Sequence, residues 1–559
     1  MKTAFRLILL SLVLILFISL TLAQDDYQIL RVRNGTDDTP TLDPARANDM
    51  PSIQVIHLVA PGLTMLGEFD GATIPAIATS WDVAQNDDGT VTYTFHMVEG
   101  LSWVYYDAAS DAIVQAVDDA GNVRYVTAND VKYGMLRTIN PETGGDYAAL
   151  LFANVVGGAE YYDGTGAPDD VAITGVDDYT IQITAPFAFV LQPTIYGLWM
   201  SRPQPQWAIE EYADFWTEGG NYQSYGPYAL KEWIHNDHMT LLVNPFWPGV
   251  ENIPVPAIDE IQLYFRDETV ALQMYEAGEL DHLDTVASAD LDRVRADPVL
   301  SQEFTITSGT CTQYYGFNVT LEPTNNVHLR RALSWAVDRE AIVDNVLKAG
   351  QIPAQWFALP GLNASPTLED NPDLGIWFDP EQAQAEFQLY MDEMGYTSVG
   401  QIPPLAILIN AGTTNEAIAE TIQQMWADVL GFDVQITVTE FATYLDLRDN
   451  SPLWRGGWCL DIPDAHNFLY EVFHSGSGNN HTAFANAEFD ALVDQAMRET
   501  DTNVRRDLYI QADQILVNTE AAIIPLWYSV ELNMTKPYVE ATEAVDLVEY
   551  YYNWDVTNP

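Results

Sequence analysis

The stretch Leu405-Ala-Ile-Leu-Ile409 is an uninterrupted apolar run, which is typical of a strand buried on both faces of a parallel sheet. A helix is predicted next, over residues 416–430, and Gly431 is its stop signal. The following residues, Val434-Gln-Ile-Thr-Val438, alternate between apolar and polar as a second strand would. Strand, helix and strand in this order form a β-α-β unit, which requires parallel strands and a right-handed crossover. The chain is therefore predicted to have an α/β fold.

Two patterns upstream of this unit predict further elements. Residues 77–83 and 90–97 flank the turn Asn86-Asp-Asp-Gly89, and the second segment alternates apolar and polar residues, so the two are expected to form a hairpin. Between Val327 and Lys348 the apolar residues fall on one stripe of a helix, with charged residues opposite. Neither an internal repeat nor a low-complexity linker separates these segments, so we expect them to fold together.

Downstream, the segment Arg455-Gly-Gly-Trp-Cys-Leu-Asp-Ile-Pro-Asp-Ala-His-Asn-Phe468 combines residue types suited to contact with a ligand. Its two glycines let a ligand or another strand approach the backbone. Trp458 offers an apolar face with a single hydrogen-bond donor. Asp461 follows at the end of this wall and suits a cation. The alternative is that Asp461 only caps the following helix or turn.

The net charge of the chain limits the kinds of partner that are expected. Asp and Glu number 80 against 23 Lys and Arg, which gives a formal net charge of -57. Such a surface repels nucleic acid and anionic membranes, so neither is an expected partner. The charge is interpreted first as a source of solubility. Attraction of cationic ligands is a weaker interpretation, because exposed charges are screened within about 8–10 Å at physiological salt.

The N-terminus and the cysteines predict an exported protein. Residues 1–23 have a basic start, an apolar core over Leu7–Leu20 and small residues before a cut after Ala23, as in a secretory signal peptide. No lipobox cysteine lies near this cut, so a lipid anchor is not predicted; an uncleaved membrane anchor is the alternative. In an oxidising compartment, the pair Cys311 and Cys459 is a disulfide candidate rather than a metal site.

Several motifs match a known family. The early ones are Pro75-Ala-Ile-Ala-Thr-Ser-Trp81, Asp88-Gly-Thr-Val-Thr-Tyr-Thr-Phe95 and Thr127-Ala-Asn-Asp-Val-Lys-Tyr133. The central ones are Tyr315-Gly-Phe-Asn318 and Val327-His-Leu-Arg-Arg-Ala-Leu-Ser-Trp-Ala-Val-Asp-Arg339. On these motifs the chain resembles the family 5 extracellular solute-binding proteins of ABC importers, and most closely their oligopeptide-binding branch. The resemblance covers essentially everything after the signal peptide.

The resemblance implies a two-lobed, periplasmic-binding-protein-like α/β fold of class II, or cluster C, with an extra domain inserted in the first lobe. The expected limits are residues 25–62, 188–309 and 530–559 for lobe I, 63–187 for the extra domain and 310–529 for lobe II. The chain would cross between the lobes near residues 308–310 and 529. These crossings would form the hinge.

The resemblance also implies roles for individual residues. Cys311 and Cys459 would form a disulfide, and Asp461 would pair with the α-ammonium group of a peptide. Arg455 and Arg448 are candidate partners for ligand carboxylates, and backbone at Gly457 and Cys459 would pair with an extended peptide. The remaining predicted contacts are Trp458, Asn479, Tyr147 and Tyr528.

The implied function is capture of short oligopeptides, by their backbone and termini, for delivery to an ABC permease in the membrane. The protein would be a monomer in the periplasm or at the outer face of the cytoplasmic membrane, with no catalytic activity, cofactor or metal. Two departures from the family pattern concern the ligand pocket. Leu283-Asp284 stands where the family has Tyr-Asn, and the segment between Arg448 and Arg455 is shorter.

Other functions are considered beside this one. The same scaffold carries non-peptide solutes in related importers, such as oligosaccharides, nickel chelates or haem. A secreted glycoside hydrolase would need two facing carboxyl groups, and Asp461 with Asp464 are candidates only by proximity in sequence. A metal site could use His466, His474 and His481, although surface or packing histidines fit their spacing better.

Overall fold

The computed structural model describes residues 27–69, 71–189, 191–372, 374–499, 501–542, 544 and 548–557. The predicted signal peptide, residues 1–23, lies outside the described residues. Across these described ranges, no helix combines the length and the apolar character needed to cross a membrane.

Strands form several sheets along the chain. They are β1 Ile29–Arg33, β2 Thr64–Leu66, β3 Thr73–Pro75, β4 Ala78–Gln85, β5 Val91–Met97, β6 Val104–Asp107, β7 Ala112–Gln115, β8 Ile173–Asp177, β9 Thr180–Ala185, β10 Tyr228–Ile234, β11 His238–Val243, β12 Glu260–Tyr264, β13 His282–Leu283, β14 Phe304–Phe317, β15 Ile352–Pro353, β16 Ala406–Asn410, β17 Gln435–Thr439, β18 Leu453–Cys459, β19 Ile523–Thr535, β20 Val539–Glu540 and β21 Asp555–Val556.

The helices are interspersed with these strands. They are Met50–Val59, Ala128–Thr138, Ala148–Ala153, Gly158–Tyr162, Gln192–Ile195, Gln206–Tyr212, Glu268–Ala277, Leu291–Ala296, Leu300–Glu303, Val327–Trp335, Arg339–Ile342, Pro380–Met394, Thr413–Leu430, Phe441–Arg448, Ala465–Phe473, Ala487–Arg498 and Thr502–Gln514.

One mixed sheet runs through both lobes in the order β10-β11-β12-β1-β13-β19-β14-β18-β16-β17, and β15 pairs with β19. In the first lobe, β1 pairs in parallel with β12 and β13. The long strands β14 and β19 pair with each other along their length and continue into the second lobe, where β14 also pairs with β18. The two lobes are therefore joined by β14 and β19.

The ladder between β14 and β19 is interrupted between Ser308 and Thr312. Gly309 lies within this interruption, and a side chain there would collide with Ser529 on the facing strand. A bulge breaks the regular pairing and lets a strand bend. The pairing of β14 with β19 is thus irregular beside Gly309.

The predicted β-α-β unit is confirmed. The strands β16 and β17 pair in parallel from Ala406 opposite Gln435 to Asn410 opposite Thr439. The helix Thr413–Leu430 connects them and ends at Gly431, which adopts the left-handed conformation (φ +64°) that terminates helices. Its apolar face packs into a core cluster with the buried face of β16. The predicted hairpin is confirmed as well, because β4 and β5 pair antiparallel.

The helix predicted over residues 327–348 is interrupted. The structure has one helix at Val327–Trp335, a second at Arg339–Ile342 and a π-helical turn at Val343–Leu347. Asp338 starts the second helix by accepting a hydrogen bond from the amide of Ala341 at 2.9 Å. The predicted apolar stripe is nevertheless buried throughout, because the shorter pieces still direct it into one core cluster.

The disulfide between Cys311 and Cys459 is present. The two residues are directly opposite each other on β14 and β18, and their Cα atoms are 4.0 Å apart. The bond therefore joins the end of β18 to the strand that crosses from the first lobe. This end of β18 leads directly into Leu460 and Asp461.

Candidate ligand-binding site

A cavity of about 210 Å³ lies between the lobes, beside β18. Its walls include Asn48 to Pro51 on one side and Gln313 and Tyr314 on the other. All of the predicted ligand-contacting residues except Tyr528 line this cavity, namely Tyr147, Arg448, Arg455, Gly457, Trp458, Cys459, Asp461 and Asn479. The structure thus brings together residues from distant parts of the chain at one place.

Tyr528 lies elsewhere. It is on β19 and is buried, and its hydroxyl donates a hydrogen bond to the carbonyl of Trp356 at 3.1 Å. It packs in the core of the second lobe and does not line the cavity.

Asp461 is held by hydrogen bonds from both sides of the cleft. The hydroxyl of Tyr147 donates to its Oδ2 at 3.0 Å, and Nδ2 of Asn467 donates to the same oxygen at 3.3 Å. The backbone amide of Asp461 in turn donates to Oδ1 of Asn467 at 3.0 Å. The carboxyl group is therefore fixed in orientation, but no cationic side chain of a described residue is bonded to it.

Burial affects the protonation of Asp461. Burial raises its pKa from 3.8 to about 7, against the opposing effects of the hydrogen bonds from Asn467 and Tyr147. The buried carboxyl of Glu471 also raises it. A cation placed at this carboxylate would favour the charged form and lower the pKa again. The site is electrostatically prepared for a positively charged group.

The helix after Asp461 is capped by another residue. Asp464 accepts a hydrogen bond from the amide of His466 at 2.9 Å and is the N-cap of helix Ala465–Phe473. Asp464 is fully buried and also forms an ion pair with Arg505 at 2.7 Å. The alternative interpretation of Asp461 as a helix cap is therefore wrong, since Asp464 does this work.

Asn467 is a site residue that the sequence pattern did not single out. It is fully buried on helix Ala465–Phe473, and its Oδ1 accepts hydrogen bonds from the backbone amide of Asp461 and from Nε1 of Trp458 at 3.3 Å. One amide side chain thus positions both the carboxyl group and the indole wall. The only available signal was its presence in the same short segment as Asp461.

One edge of β18 is open at the cavity. Residues Arg455–Cys459 pair with β14 on one side. On the other side β16 reaches only Leu453 and Trp454, so no strand of the described chain pairs there with residues 455–459. The carbonyl of Arg455 already accepts a hydrogen bond from the hydroxyl of Tyr444. The remaining backbone donors and acceptors of an open edge can pair with an extended chain.

The glycines of β18 make close packing possible around this edge. A Cβ on Gly456 would lie 2.5 Å from the ring of Tyr314, and one on Gly457 would lie 2.9 Å from the side chain of Gln313. Gly457 is exposed to the cavity. Beside it, Trp458 stacks on Tyr147, with ring centroids 6.1 Å apart and planes inclined by 18°. This wall is flat and partly apolar.

The two predicted arginines differ in their partners. Arg448 contacts Oδ2 of Asp146 at 3.4 Å, across the cleft. Arg455 donates hydrogen bonds to Oε1 of Gln313 at 2.6 Å and to Oδ1 of Asn410 at 3.5 Å, and it has no carboxylate partner within the described residues. Of the two, Arg455 is the more available for an anionic ligand group.

A second cavity, of about 410 Å³, adjoins the first at Met50 and Pro51. It lies over the first-lobe parts of β14 and β19, and its lining includes Asp284 and Glu531. Burial and then the charge of Asp284 raise the pKa of Glu531 from 4.5 to about 7. Space between the lobes thus extends beyond the neighbourhood of Asp461. Asp284, one of the two departures from the family pattern, is part of this second lining.

The three histidines considered as metal ligands have separate surroundings. His466 is buried, with Nε2 3.0 Å from Oε1 of Glu471. His481 lies 2.7 Å from Asp449, and His474 lies 3.8 Å from Asp494. In the described part of the chain, no group of three or more His, Cys, Asp or Glu residues is arranged to hold a metal ion.

Comparisons with known proteins point to one family. The sequence pattern of the bacterial extracellular solute-binding proteins, family 5, middle region, matches residues 72–480. The periplasmic oligopeptide-binding protein OppA of Escherichia coli is 27% identical, over 93% of this chain and 91% of its own. The dipeptide-binding protein DppE of Bacillus subtilis is 28% identical, over 92% of this chain and 89% of its own.

The structural likeness extends over the whole fold and distinguishes two conformations. The murein tripeptide-binding protein MppA of Escherichia coli superposes with a TM-score of 0.83 at 25% identity, covering 96% of this chain and 99% of its own. The unliganded open form of MppA superposes with a TM-score of only 0.60. The predicted two-lobed class II α/β fold is confirmed. The arrangement here is therefore less similar to that open form than to the other MppA structure, and Tyr147 and Arg448 make contacts across the cleft.

Proposed function

Because this chain belongs to the bacterial extracellular solute-binding proteins of family 5, we propose that it is the substrate-binding component of an ABC importer for peptides. It captures peptides outside the cytoplasm and delivers them to a membrane permease. The observation that carries this proposal is the open edge of β18 that leads directly to Asp461. That combination matches the two features common to all peptides, a backbone and an ammonium terminus.

Backbone pairing explains how one site can accept many sequences. An extended peptide laid along residues Arg455–Cys459 would add a strand to the open edge. Main-chain hydrogen bonds then supply affinity without reading side chains. Gly457 leaves the edge accessible, and the flat wall of Trp458 and Tyr147 limits the direction of approach.

The terminal groups fix the register of the ligand. The α-ammonium group binds Asp461, whose pKa burial raises to about 7. Arg455 is the partner for a ligand carboxylate, since among the described residues its guanidinium donates hydrogen bonds to two amide oxygens and to no carboxylate. Arg448, already close to Asp146, and Asn479 complete the polar lining. The adjoining cavity leaves room for further residues of an oligopeptide.

The remaining parts of the proposal concern architecture and location. Residues 25–62, 188–309 and 530–559 form lobe I, 63–187 the extra domain and 310–529 lobe II. The bulge beside Gly309 supports a hinge at this crossing. The protein is exported by a signal peptide over residues 1–23, carries no lipobox cysteine and acts as a monomer in the periplasm or at the outer face of the cytoplasmic membrane.

Native mass spectrometry of the gently purified protein tests the function. The bound ligand is released by denaturation and identified. A ladder of short peptides is expected, and its distribution gives the preferred length. Release of an oligosaccharide, a nickel chelate or haem would contradict the peptide function. So would a protein that carries nothing and binds no peptide in calorimetry.

Peptide affinity is expected to fall as the pH drops below about 7. Below this pH the carboxyl of Asp461 is protonated in the empty site, and a neutral carboxyl cannot pair with an ammonium group. One linked proton predicts a loss of about tenfold in affinity per pH unit in this range. Above about pH 8 the affinity falls again, because the peptide amine has a pKa of about 7.7–8.0.

Isothermal titration calorimetry between pH 5.5 and 9, in buffers of different ionisation enthalpy, measures this dependence and the proton release. The matched control is Asp461→Asn, which keeps the size of the side chain but cannot titrate. Its affinity for peptides is expected to be weak, and this affinity should not fall further as the pH drops below about 7. If the affinity of Asp461→Asn still falls below about pH 7, the titration belongs to another group, such as Glu471, whose pKa burial raises to about 8.

A further inference from the structure

Arg202 is an anomaly among the buried arginines. It is 5% exposed, and its Nε and Nη1 have no hydrogen-bond partner among the described residues. Its remaining nitrogen, Nη2, lies 3.4 Å from Nδ1 of His57. No carboxylate oxygen of a described residue lies within 4.0 Å of the guanidinium. Burial lowers the pKa of Arg202, and burial also holds the pKa of His57 well below 6.5, so this neighbour offers no negative charge.

The other buried arginines are satisfied. Arg505 forms an ion pair with Asp464 at 2.7 Å, and Arg33 forms one with Asp284 at 2.7 Å. Arg330 donates to the carbonyls of Glu520 and Thr324, and Arg339 donates to the carbonyl of Pro525 at 2.6 Å. An uncompensated buried charge is strongly unfavourable, so it is expected to have a function or a missing partner.

Arg202 lines a small cavity that adjoins the proposed peptide site. The cavity measures about 50 Å³, and its other walls are mainly apolar, with Met65, Leu198 and Trp199 among them. It shares Met50, Ile53 and Asp461 with the larger cavity beside β18. Since a water-sized group needs about 10–15 Å³, the space takes roughly three to five such groups. That is close to the size of one carboxylate-bearing side chain.

We infer that this cavity is a specificity pocket for an acidic first residue of the ligand, with Arg202 as the counter-charge. The inference rests on the proposed peptide function. An ammonium group at Asp461 places the first side chain of a peptide next to the residues that both cavities share. A glutamate there would lay its methylene groups against the apolar walls and its carboxylate toward Arg202.

The charge balance of the combined site supports this ligand. The closed site contains the carboxyl of Asp461 and the guanidinium of Arg202, neither of which has an oppositely charged partner among the described residues. A peptide that begins with glutamate brings an ammonium and a carboxylate at its first residue. It would neutralise both protein groups at once, whereas an uncharged first residue leaves Arg202 unpaired.

Calorimetry with two tripeptides tests the inference. Glu-Ala-Ala and Met-Ala-Ala have first side chains of similar size that differ in charge. The wild-type protein is expected to bind Glu-Ala-Ala at least tenfold more tightly. Equal affinities, or a preference for Met-Ala-Ala, would overturn the acidic pocket while leaving peptide binding intact. If neither tripeptide nor longer peptides bind, the proposed function itself fails, and the inference fails with it.

Variants of Arg202 provide a second test of the acidic pocket. Arg202→Met is expected to lose at least tenfold in affinity for Glu-Ala-Ala and to change its affinity for Met-Ala-Ala by threefold or less. The matched control is Arg46→Met, which removes the same charge from an exposed position and should leave both affinities unchanged. An unchanged ratio in Arg202→Met would contradict the inference. If Arg202→Met does not fold, the inference is tested by the ratio of the two tripeptide affinities in the wild type and by the same measurements on Arg202→Lys.

The alternative partner for Arg202 is a small free anion rather than the side chain of a peptide. Thermal melts of the wild type and of Arg202→Met, with and without acetate, separate the two. If acetate stabilises only the wild type, and the wild type does not prefer Glu-Ala-Ala, then Arg202 serves a small anion and the inference is overturned. Competition between acetate and Glu-Ala-Ala, without competition against Met-Ala-Ala, would support it.

Discussion

Replacing Asp461 with alanine is expected to weaken peptide binding at least tenfold while the protein keeps its fold. A hydrogen bond to a charged group contributes about 1.5–3 kcal/mol, and tenfold in affinity corresponds to about 1.4 kcal/mol. The fold should survive because Asp464, and not Asp461, caps the following helix and forms the buried ion pair with Arg505. Binding is measured by calorimetry, and the fold by circular dichroism.

An N-acetylated peptide provides the matched control for this variant. Acetylation removes the ammonium group from the ligand, as the substitution removes the carboxylate from the protein. The wild type should lose affinity on acetylation, and Asp461→Ala should bind both forms alike. If Asp461→Ala is well folded and binds as tightly as the wild type, the ammonium role of Asp461 is wrong. The same holds if it still discriminates between the two peptides.

In the proposed function, the position of Asp461 couples ligand capture to closure of the lobes. Tyr147, from the segment preceding the helix Ala148–Ala153, donates to the carboxyl group across the cleft, and its ring stacks on Trp458. A bound ammonium group favours the ionised form of the carboxyl group. An ionised carboxylate accepts this hydrogen bond more strongly than a protonated carboxyl group does. In the proposed function, the ligand therefore strengthens a contact that reaches across the cleft. A permease could recognise this closed form.

Local patterns in the sequence predict much of the fold. The apolar run of β16, the helix stop at Gly431 and the alternation of β17 each depend on short-range chemistry, and the β-α-β unit follows from them. The interruption after Trp335 could not be predicted from the apolar stripe, because that stripe is buried in either case. There a single capping residue, Asp338, decides where a new helix begins.

The site is predictable where one short segment carries it. Arg455, Gly457, Trp458, Cys459 and Asp461 are close in the sequence and in space. The position of Tyr528 depends on which face of β19 it occupies, and this strand packs its alternate residues into a core. The sequence also could not predict that Arg202 lacks an oppositely charged partner among the described residues, because this can be recognised only when the neighbours of its guanidinium are known.

Removal of the disulfide is expected to destabilise the second lobe by roughly 5 kcal/mol, less any strain in the native bond. Cys311 and Cys459 are 148 positions apart, and the chain-entropy estimate for closing a loop of this length is roughly 5 kcal/mol. The variant is the double substitution Cys311→Ala and Cys459→Ala. Urea unfolding, followed by fluorescence of the many tryptophans, measures the free energy of unfolding.

The effect should be strongest next to the ligand. The bond joins β14 to the end of β18, and beyond residue 454 that strand has no second neighbour in the described sheet. Without the bond, hydrogen exchange should quicken at residues 455–460, and peptide affinity should fall because Asp461 follows this strand end. Reduction of the wild type is the control: dithiothreitol should reproduce the loss in the wild type and leave the double variant unchanged. Two freely reactive thiols in the native exported protein, or a stability that dithiothreitol does not alter, would contradict this role.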